Sequence, residues 1–176
     1  MEPPINPERF KPFRVLTLDG GGAKGFYTLG VLHESRPMLG KPLHEAFDLI
    51  FGTSTGGIIG TLLAIGTPIS KIQLPEHVPD VMRPKDKASR SEALKKLGDE
   101  IFKKQKFDAV KTGLGVVTTK WVMETPIIFK SDPKQAHGRA ATFVPGFGCS
   151  LSDAVQASCS APPLFHEAAA QGRMPQ

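Results

Sequence analysis

Ser54 lies at the centre of the segment Gly52-Thr53-Ser54-Thr55-Gly56, which has the pattern G-x-S-x-G. A serine in this pattern can act as a nucleophile when it sits on a sharp turn between a strand and a helix. The flanking glycines remove Cβ atoms that would collide in such a turn. Backbone N–H groups and the dipole of the following helix would then stabilise negative charge beside the hydroxyl. The pattern predicts acyl-transfer chemistry, although an ordinary turn with a small exposed serine would read the same way.

A second glycine-rich segment, Asp19-Gly20-Gly21-Gly22-Ala23-Lys24-Gly25, precedes the first. It is not a P-loop, because Lys24 stands before Gly25 and no hydroxyl residue follows as G-K-[S/T] requires. Its spacing also fits a dinucleotide-binding loop, but that reading needs an acidic residue after the next strand, where this chain has the Ser54 turn. The segment is better suited to an oxyanion hole, in which consecutive amides converge on one oxygen. A flexible turn is the simpler alternative.

Both motifs need a strand before them and a helix after them. Residues 14–18 predict a strand, and the apolar run at 49–51 predicts a buried parallel strand. Helices are expected over 23–35 and 57–64. Because the carboxyl ends of parallel strands meet at one edge of a sheet, the amides of Gly20 to Gly22 can face the Ser54 hydroxyl.

The rest of the chain predicts further elements of an α/β domain. Pro37, Gly40 and Pro42 are expected to break the first helix, and Ser89-x-x-Glu92 predicts a capping box at the start of another. Strands are expected over 115–123 and 126–130, and a short helix over 151–158. The predicted organisation is a loose arm at 1–13, one domain at 14–166 and a frayed tail at 167–176.

The two motifs resemble those of the patatin-like phospholipases, and the resemblance extends over residues 14–165, including Ala154-Val155-Gln156-Ala157-Ser158-Cys159-Ser160-Ala161-Pro162. Within that family the chain is most similar to bacterial effectors that cyclic nucleotides activate in antiviral defence. The resemblance implies a three-layer α/β/α fold with a mostly parallel central sheet, incomplete at its C-terminal end. It also implies a Ser-Asp dyad, in which Ser54 matches the nucleophile. The oxyanion loop is matched by Gly20, Gly21 and Gly22, and the supporting motif positions are Asp19, Lys24, Gly25, Gly52 and Gly56.

The base of the implied dyad is missing from its expected place. The family carries it in an Asp-Gly-Gly or Asp-Gly-Ala motif on a later strand, and the only Asp-Gly of this chain is Asp19-Gly20. Because a serine hydroxyl is a poor nucleophile without a base, weak or no lipase activity is expected of these 176 residues. A truncated domain is the simplest explanation. Other carboxylates and imidazoles are weaker candidates: Asp48, Asp132, Asp153 and His166.

The composition of the chain favours some classes of binding partner and argues against others. The net charge of +5 is compatible with an anionic phospholipid surface, whereas scattered basic residues and few Trp or Tyr argue against a nucleic-acid polymer as partner. Cys149 and Cys159 are too few for a disulfide framework and are expected to be buried hydrophobes in a reducing cytosol. No cofactor and no metal are expected. With no signal peptide or membrane span in view, the expected location is the cytoplasm, with access to the inner membrane surface.

Three functions therefore compete at the level of sequence. The first is hydrolysis of a phospholipid or another acyl ester, with a cyclic nucleotide as activator. The second is a non-catalytic module whose glycine loop binds a phosphate or a cyclic nucleotide. The third is an inactive fragment.

Overall fold

A single four-stranded sheet organises the part of the chain that the computed structural model describes, residues 11–72, 79–120, 124–136, 140–161 and 164–166. Its strands follow one another in chain order across the sheet. The first three are parallel and the last is antiparallel to its neighbour. The strands are β1 (Val15–Leu18), β2 (Leu49–Thr53), β3 (Gly113–Lys120) and β4 (Thr125–Lys130).

Helices connect these strands and pack on the sheet. Within the described residues the α-helices are α1 (Gly25–Leu39), α2 (Leu43–Ala46), α3 (Thr55–Ala64), α4 (Lys87–Phe102) and α5 (Leu151–Cys159). Residues 79–82 are also helical. Short 3-10 turns cover Gly22–Lys24, Ile69–Lys71, Phe107–Ala109, Pro133–Gln135, Ala140–Thr142 and Pro145–Gly148.

The core lies between the sheet and α3. Alternate residues of the strands, which point to one face, are buried there, among them Ile50, Leu114 and Val116. Every residue of α3 is buried, because this helix packs against the first three strands and against α1 and α5. A helix enclosed in this way has a fixed position, so its N-terminal end, next to Ser54, is held firmly relative to the sheet.

The fold class predicted from the sequence is confirmed as mixed α/β, with a mostly parallel sheet and the predicted strand–turn–helix units in place. Two local predictions were wrong. Helix α1, predicted to end at Ser35, runs through Pro37 to Leu39. It ends at Gly40, one of the three predicted breaking residues, whose φ of 64° is left-handed. A proline near the end of a helix removes only one late hydrogen bond, whereas the left-handed residue stops the helix.

The predicted capping box at Ser89 was the second error. Helix α4 begins two residues earlier, and the carboxylate of Asp86 accepts a hydrogen bond of 2.8 Å from the Ser89 N–H. Asp86 is thus the N-cap and Ser89 is inside the helix. Residues 1–10 of the predicted arm, 121–123 of the predicted strand and the predicted tail at 167–176 lie outside the described residues.

Candidate active site

Ser54 occupies the sharp turn that joins β2 to α3. Its backbone has φ 51° and ψ −125°, a combination that L-residues rarely adopt, and its side chain is half-buried. The Ser54 carbonyl accepts the first hydrogen bond of α3, from the Ile58 N–H at 3.1 Å. The turn therefore places the Ser54 hydroxyl at the junction of a strand and a helix, as the G-x-S-x-G pattern predicts.

The motif glycines are required by close backbone contacts. A Cβ on Gly56 would overlap the carbonyl oxygen of Leu18 at the end of β1, and a Cβ on Gly52 would overlap the backbone of Gly56. Any larger residue at either position would push the turn away from the neighbouring strand. The two glycines thus allow the Ser54 turn to lie directly against β1.

The glycine loop after β1 meets the Ser54 turn at the same edge of the sheet. Leu18 and Gly52 are partners in the parallel ladder, so both loops leave the sheet side by side. A Cβ on Gly20 would lie only 3.0 Å from the Cβ of Ser54, and a Cβ on Gly25 would overlap the Thr55 methyl group. The structure therefore brings together the two segments that the sequence singled out.

Backbone N–H donors line this junction. Gly21 and Gly22 have φ of 135° and 56°, and both are exposed. Among the described residues, no acceptor takes the N–H of Gly21, Gly22 or Thr55. Thr55 opens α3, where the first N–H groups of a helix have no partner within it. Such donors can stabilise the negative oxygen that forms when a serine attacks an ester.

The other motif residues of the loop border this junction. The Asp19 side chain is exposed, and its carbonyl oxygen would lie 2.6 Å from a Cβ on Gly56. Lys24 is also exposed, and the aliphatic part of its side chain lies against Gly21, with its Cδ 3.2 Å from where a Cβ would stand. Lys24 and Gly21 are also joined by a backbone hydrogen bond of 3.1 Å.

The C-terminal end of α5 forms a further side of the site, which the sequence analysis missed. The N–H of Ser54 donates a hydrogen bond of 2.7 Å to the Ser158 hydroxyl, which in turn donates to the carbonyl oxygen of Val117 on β3 at 2.5 Å. The expected helix over 151–158 and the family resemblance over 154–162 both pointed to this element. Neither gives any sign of a contact with a residue 104 positions away.

Cys159 lies next to the Ser54 side chain. It is buried, as predicted, and burial raises the pKa of its thiol to about 12, although a hydrogen bond with the Ser54 hydroxyl partly opposes that rise. A thiol with this pKa is neutral at pH 7 and has little tendency to take a proton from serine. Cys159 therefore shapes the surroundings of Ser54 but is not its base.

The three candidate carboxylates have other partners. The carboxylates of Asp48, Asp132 and Asp153 bond to neighbouring backbone or hydroxyl groups, and the His166 backbone N–H donates to a side chain on α4. Among the residues described, no carboxylate or imidazole is hydrogen-bonded to the Ser54 hydroxyl. The partners are Arg14 for Asp48, Lys134 for Asp132, Ser150 for Asp153 and Ser91 for His166.

Other features bear on ligands. The described residues contain no group of three or more His, Cys, Asp or Glu side chains arranged to hold a metal ion. No helix in the described part of the chain combines the length and apolar character needed to cross a bilayer.

A cavity of about 470 Å³ lies at the C-terminal ends of α1 and α3, far along both helices from Ser54. Its lining includes Arg36, Lys41 and His44.

The chain is similar to known proteins over most of its length. The family model described as "Patatin-like phospholipase" matches residues 16–174, which is most of the chain. The chain belongs to the patatin-like phospholipase family. The predicted family membership is confirmed by this match.

Two of the similar proteins are phospholipases activated by cyclic nucleotides. A cUMP-AMP-activated phospholipase of Escherichia coli is 56% identical over 154 residues, covering 86% of this chain and 48% of that protein. A cGAMP-activated phospholipase of Pseudomonas aeruginosa is 44% identical over 61 residues, 35% of this chain and 18% of that protein. The chain therefore spans about half the length of the E. coli relative.

A solved structure supports the fold. VipD from Legionella pneumophila superposes with a TM-score of 0.56 and 13% sequence identity, over 88% of this chain and 44% of that one. At this level of identity the likeness concerns the fold alone.

Proposed function

We propose that Ser54 is the nucleophile of a lipid acyl hydrolase and that the amides of Gly20, Gly21 and Gly22 form its oxyanion hole. The observation that carries the proposal is the contact between the two glycine-rich turns, with Gly20 packed against Ser54. Attack by the Ser54 oxygen on an ester carbonyl would form a tetrahedral intermediate. Its negative oxygen would be stabilised by the loop amides and by the Thr55 N–H at the start of α3.

The proposed substrate is the acyl ester of a phospholipid at a membrane surface. Apolar side chains stand beside the glycine loop: Phe26 and Tyr27, which follow it directly, are 38% and 78% exposed. Exposed aromatic side chains next to an active site favour contact with acyl chains or with the lipid interface. The positive charge of the chain, +5, would add attraction to anionic lipid.

The proposed activator is a cyclic nucleotide, as the names of the E. coli and P. aeruginosa relatives state for those proteins. The basic side chains Arg36 and Lys41, which line the cavity at the far ends of α1 and α3, suit the phosphates of such a ligand. Calorimetric titration with cyclic dinucleotides should detect binding that the double variant Arg36→Ala/Lys41→Ala weakens. Equal binding by the unmodified chain and the double variant would contradict a role for this cavity in binding the nucleotide.

Activity of these 176 residues alone is expected to be weak, because no base contacts Ser54 in the described part of the chain. Serine hydrolases that lose one member of the catalytic group keep about 10³–10⁴-fold catalysis over water from binding and the oxyanion hole.

The proposed biological role is antiviral defence. It is inferred from the E. coli and P. aeruginosa relatives, whose names state that cyclic nucleotides activate them.

Hydrolysis of a short 4-nitrophenyl ester tests this function. We expect slow turnover by the purified chain, and covalent labelling of the chain by a fluorophosphonate that Ser54→Ala abolishes. Labelling decides the nucleophile, since part of the turnover left without a base comes from binding and the oxyanion hole. Ser160→Ala is the matched control, because the Ser160 hydroxyl donates to the Gln156 carbonyl and is not bonded to the Ser54 turn. Labelling that survives Ser54→Ala would contradict the proposed nucleophile. Full enzyme-like turnover lost in Ser54→Ala would keep the nucleophile and contradict the absence of a base.

A further inference from the structure

The strained turn at Ser54 is held from a distant part of the chain. A residue with φ 51° and ψ −125° needs surrounding contacts that impose the conformation, since residues other than glycine rarely adopt it. One such contact is the hydrogen bond of 2.7 Å from the Ser54 N–H to the Ser158 hydroxyl. This bond fixes the amide on one side of the strained residue.

The Ser158 hydroxyl is itself held in place. It donates to the Val117 carbonyl on β3, so that its lone pairs are directed to the Ser54 N–H. The same end of α5 is attached to β3 by a second bond, from the Thr118 hydroxyl to the Ala157 carbonyl at 2.9 Å. It also packs on α3, where a Cβ on Gly57 would lie 3.5 Å from the Ser158 oxygen.

We propose that Ser158 is a positioning residue, which holds the Ser54 turn in its strained conformation through a hydrogen bond that bridges β3 and the turn. The inference rests on the proposed role of Ser54 as nucleophile. Ser158 would act through Ser54 rather than on substrate: fixing the Ser54 amide keeps the hydroxyl toward the ester and the Thr55 N–H toward the developing oxyanion.

The neighbouring Ser160 provides a matched control. Both serines lie at the C-terminal end of α5, both are half-buried and both donate a hydrogen bond to a carbonyl oxygen. The Ser160 hydroxyl bonds to Gln156, four residues earlier, and its bonds do not involve the Ser54 turn. Substituting either serine should change helix stability to a similar extent, whereas only Ser158 should affect Ser54.

The experiment compares four variants of the 176-residue chain: Ser158→Ala, Ser160→Ala, and the isosteric pair Ser158→Thr and Ser158→Val, which differ in the hydroxyl. Hydrogen exchange of the Ser54 amide, measured by NMR, reports on its hydrogen bond to the Ser158 hydroxyl and does not require enzymatic activity. We expect exchange about tenfold faster in Ser158→Ala and Ser158→Val, the factor that a hydrogen bond of about 1.4 kcal/mol gives. Ser158→Thr and Ser160→Ala should exchange like the unmodified chain.

The rate of Ser54 labelling by a fluorophosphonate gives the second readout. We expect labelling about tenfold slower in Ser158→Ala and Ser158→Val, and unchanged in Ser158→Thr and Ser160→Ala. Ser54 exchange and labelling that are the same in the Thr and Val variants would overturn the proposal. Changes in Ser54 exchange and labelling in Ser160→Ala as large as those in Ser158→Ala would also overturn it. If the unmodified chain does not label at all, the proposed nucleophile fails, and the amide exchange still decides whether Ser158 holds the turn.

Discussion

Ser54 combines a chemically useful position with an unfavourable backbone conformation. Glycine is the residue that adopts φ 51° with ψ −125° at little cost, yet this position carries a side chain. Strain that is kept at one residue while the rest of α3 is regular and buried is typical of a functional site. The serine side chain therefore lowers the stability of the folded chain relative to glycine at this position.

Ser54→Gly should accordingly be more stable than Ser54→Ala. Alanine keeps the strain, whereas glycine relieves it, and the gain exceeds the entropy that glycine adds to the unfolded chain, so we expect a difference of about 1 kcal/mol. Urea unfolding of the two variants measures it. The same pair at Ser160, where φ is −78°, should show the opposite order. A Ser54→Gly variant less stable than Ser54→Ala would show that the turn is not strained.

Cys159 makes stability depend on alkaline pH. Its thiol has a pKa of about 12 in the folded chain, against an ordinary value of 9.0. Between these values the unfolded chain ionises and the folded chain does not, so the free energy of unfolding should fall as pH rises above 9, by up to about 1.4 kcal/mol per pH unit. Urea unfolding at pH 8 and pH 10.5 should show a steeper loss in the unmodified chain than in Cys159→Ala. Equal losses would mean that the thiol ionises freely in the folded state.

The residues that the sequence could identify are those whose role is local. Gly52 and Gly56 are separated from Ser54 by two positions each, and steric exclusion within one turn makes their identity readable from the pattern. Ser158 and Cys159 could not be found in the same way, because their contact with Ser54 depends on where α5 packs. A partner 104 residues away leaves no trace in local spacing.

At the scale of elements, α5 is the support of the site. Its N-terminal end carries a capping box, in which the Ser150 hydroxyl accepts from the Asp153 N–H at 3.1 Å and the Asp153 carboxylate accepts from the Ser150 N–H at 3.2 Å. These bonds satisfy N–H groups that the helix cannot satisfy itself. Since Ser158 is at the other end of this helix, the cap and the site belong to the same element.

Loss of the cap should destabilise the helix without touching Ser54. We expect Ser150→Ala to lower the free energy of unfolding by about 1 kcal/mol, the usual cost of removing a serine N-cap. Chemical denaturation measures the loss, and Ser150→Asp, which retains an N-cap acceptor, should restore most of it. A Ser150→Ala variant as stable as the unmodified chain would show that the box contributes nothing.

Element boundaries were harder to predict than the elements. Helix α1 continues past Pro37 because its last turn tolerates a missing N–H, and α4 starts at Asp86 rather than Ser89 because an aspartate cap was available earlier. Both errors came from local signals that compete within a few residues. The strands before both glycine-rich turns were predicted correctly because their apolar runs are short and end at clear turn residues.

At the scale of the whole molecule, the two glycine-rich turns meet at one edge of the sheet. We interpret the lack of a carboxylate or imidazole bonded to the Ser54 hydroxyl among the described residues as a missing base. If this reading is right, the 176 residues followed by a patatin-family segment that carries the Asp-Gly-Gly strand should gain activity. A general base typically contributes about 10²–10⁴-fold, and we expect a gain of that order in ester turnover, dependent on Ser54. The same chimera with the added aspartate changed to asparagine is the control. A chimera that folds and is no more active than the chain alone would contradict the missing-base explanation.

The most direct test is a crystal structure of the chain after reaction with a fluorophosphonate. We predict a covalent adduct on Ser54 Oγ, with the phosphonyl oxygen within hydrogen-bond distance of the Gly21, Gly22 or Thr55 amide nitrogens. An adduct on another residue, or an adduct on Ser54 whose oxygen points to solvent away from these amides, would contradict the proposal that the two glycine-rich turns form one acyl-transfer site.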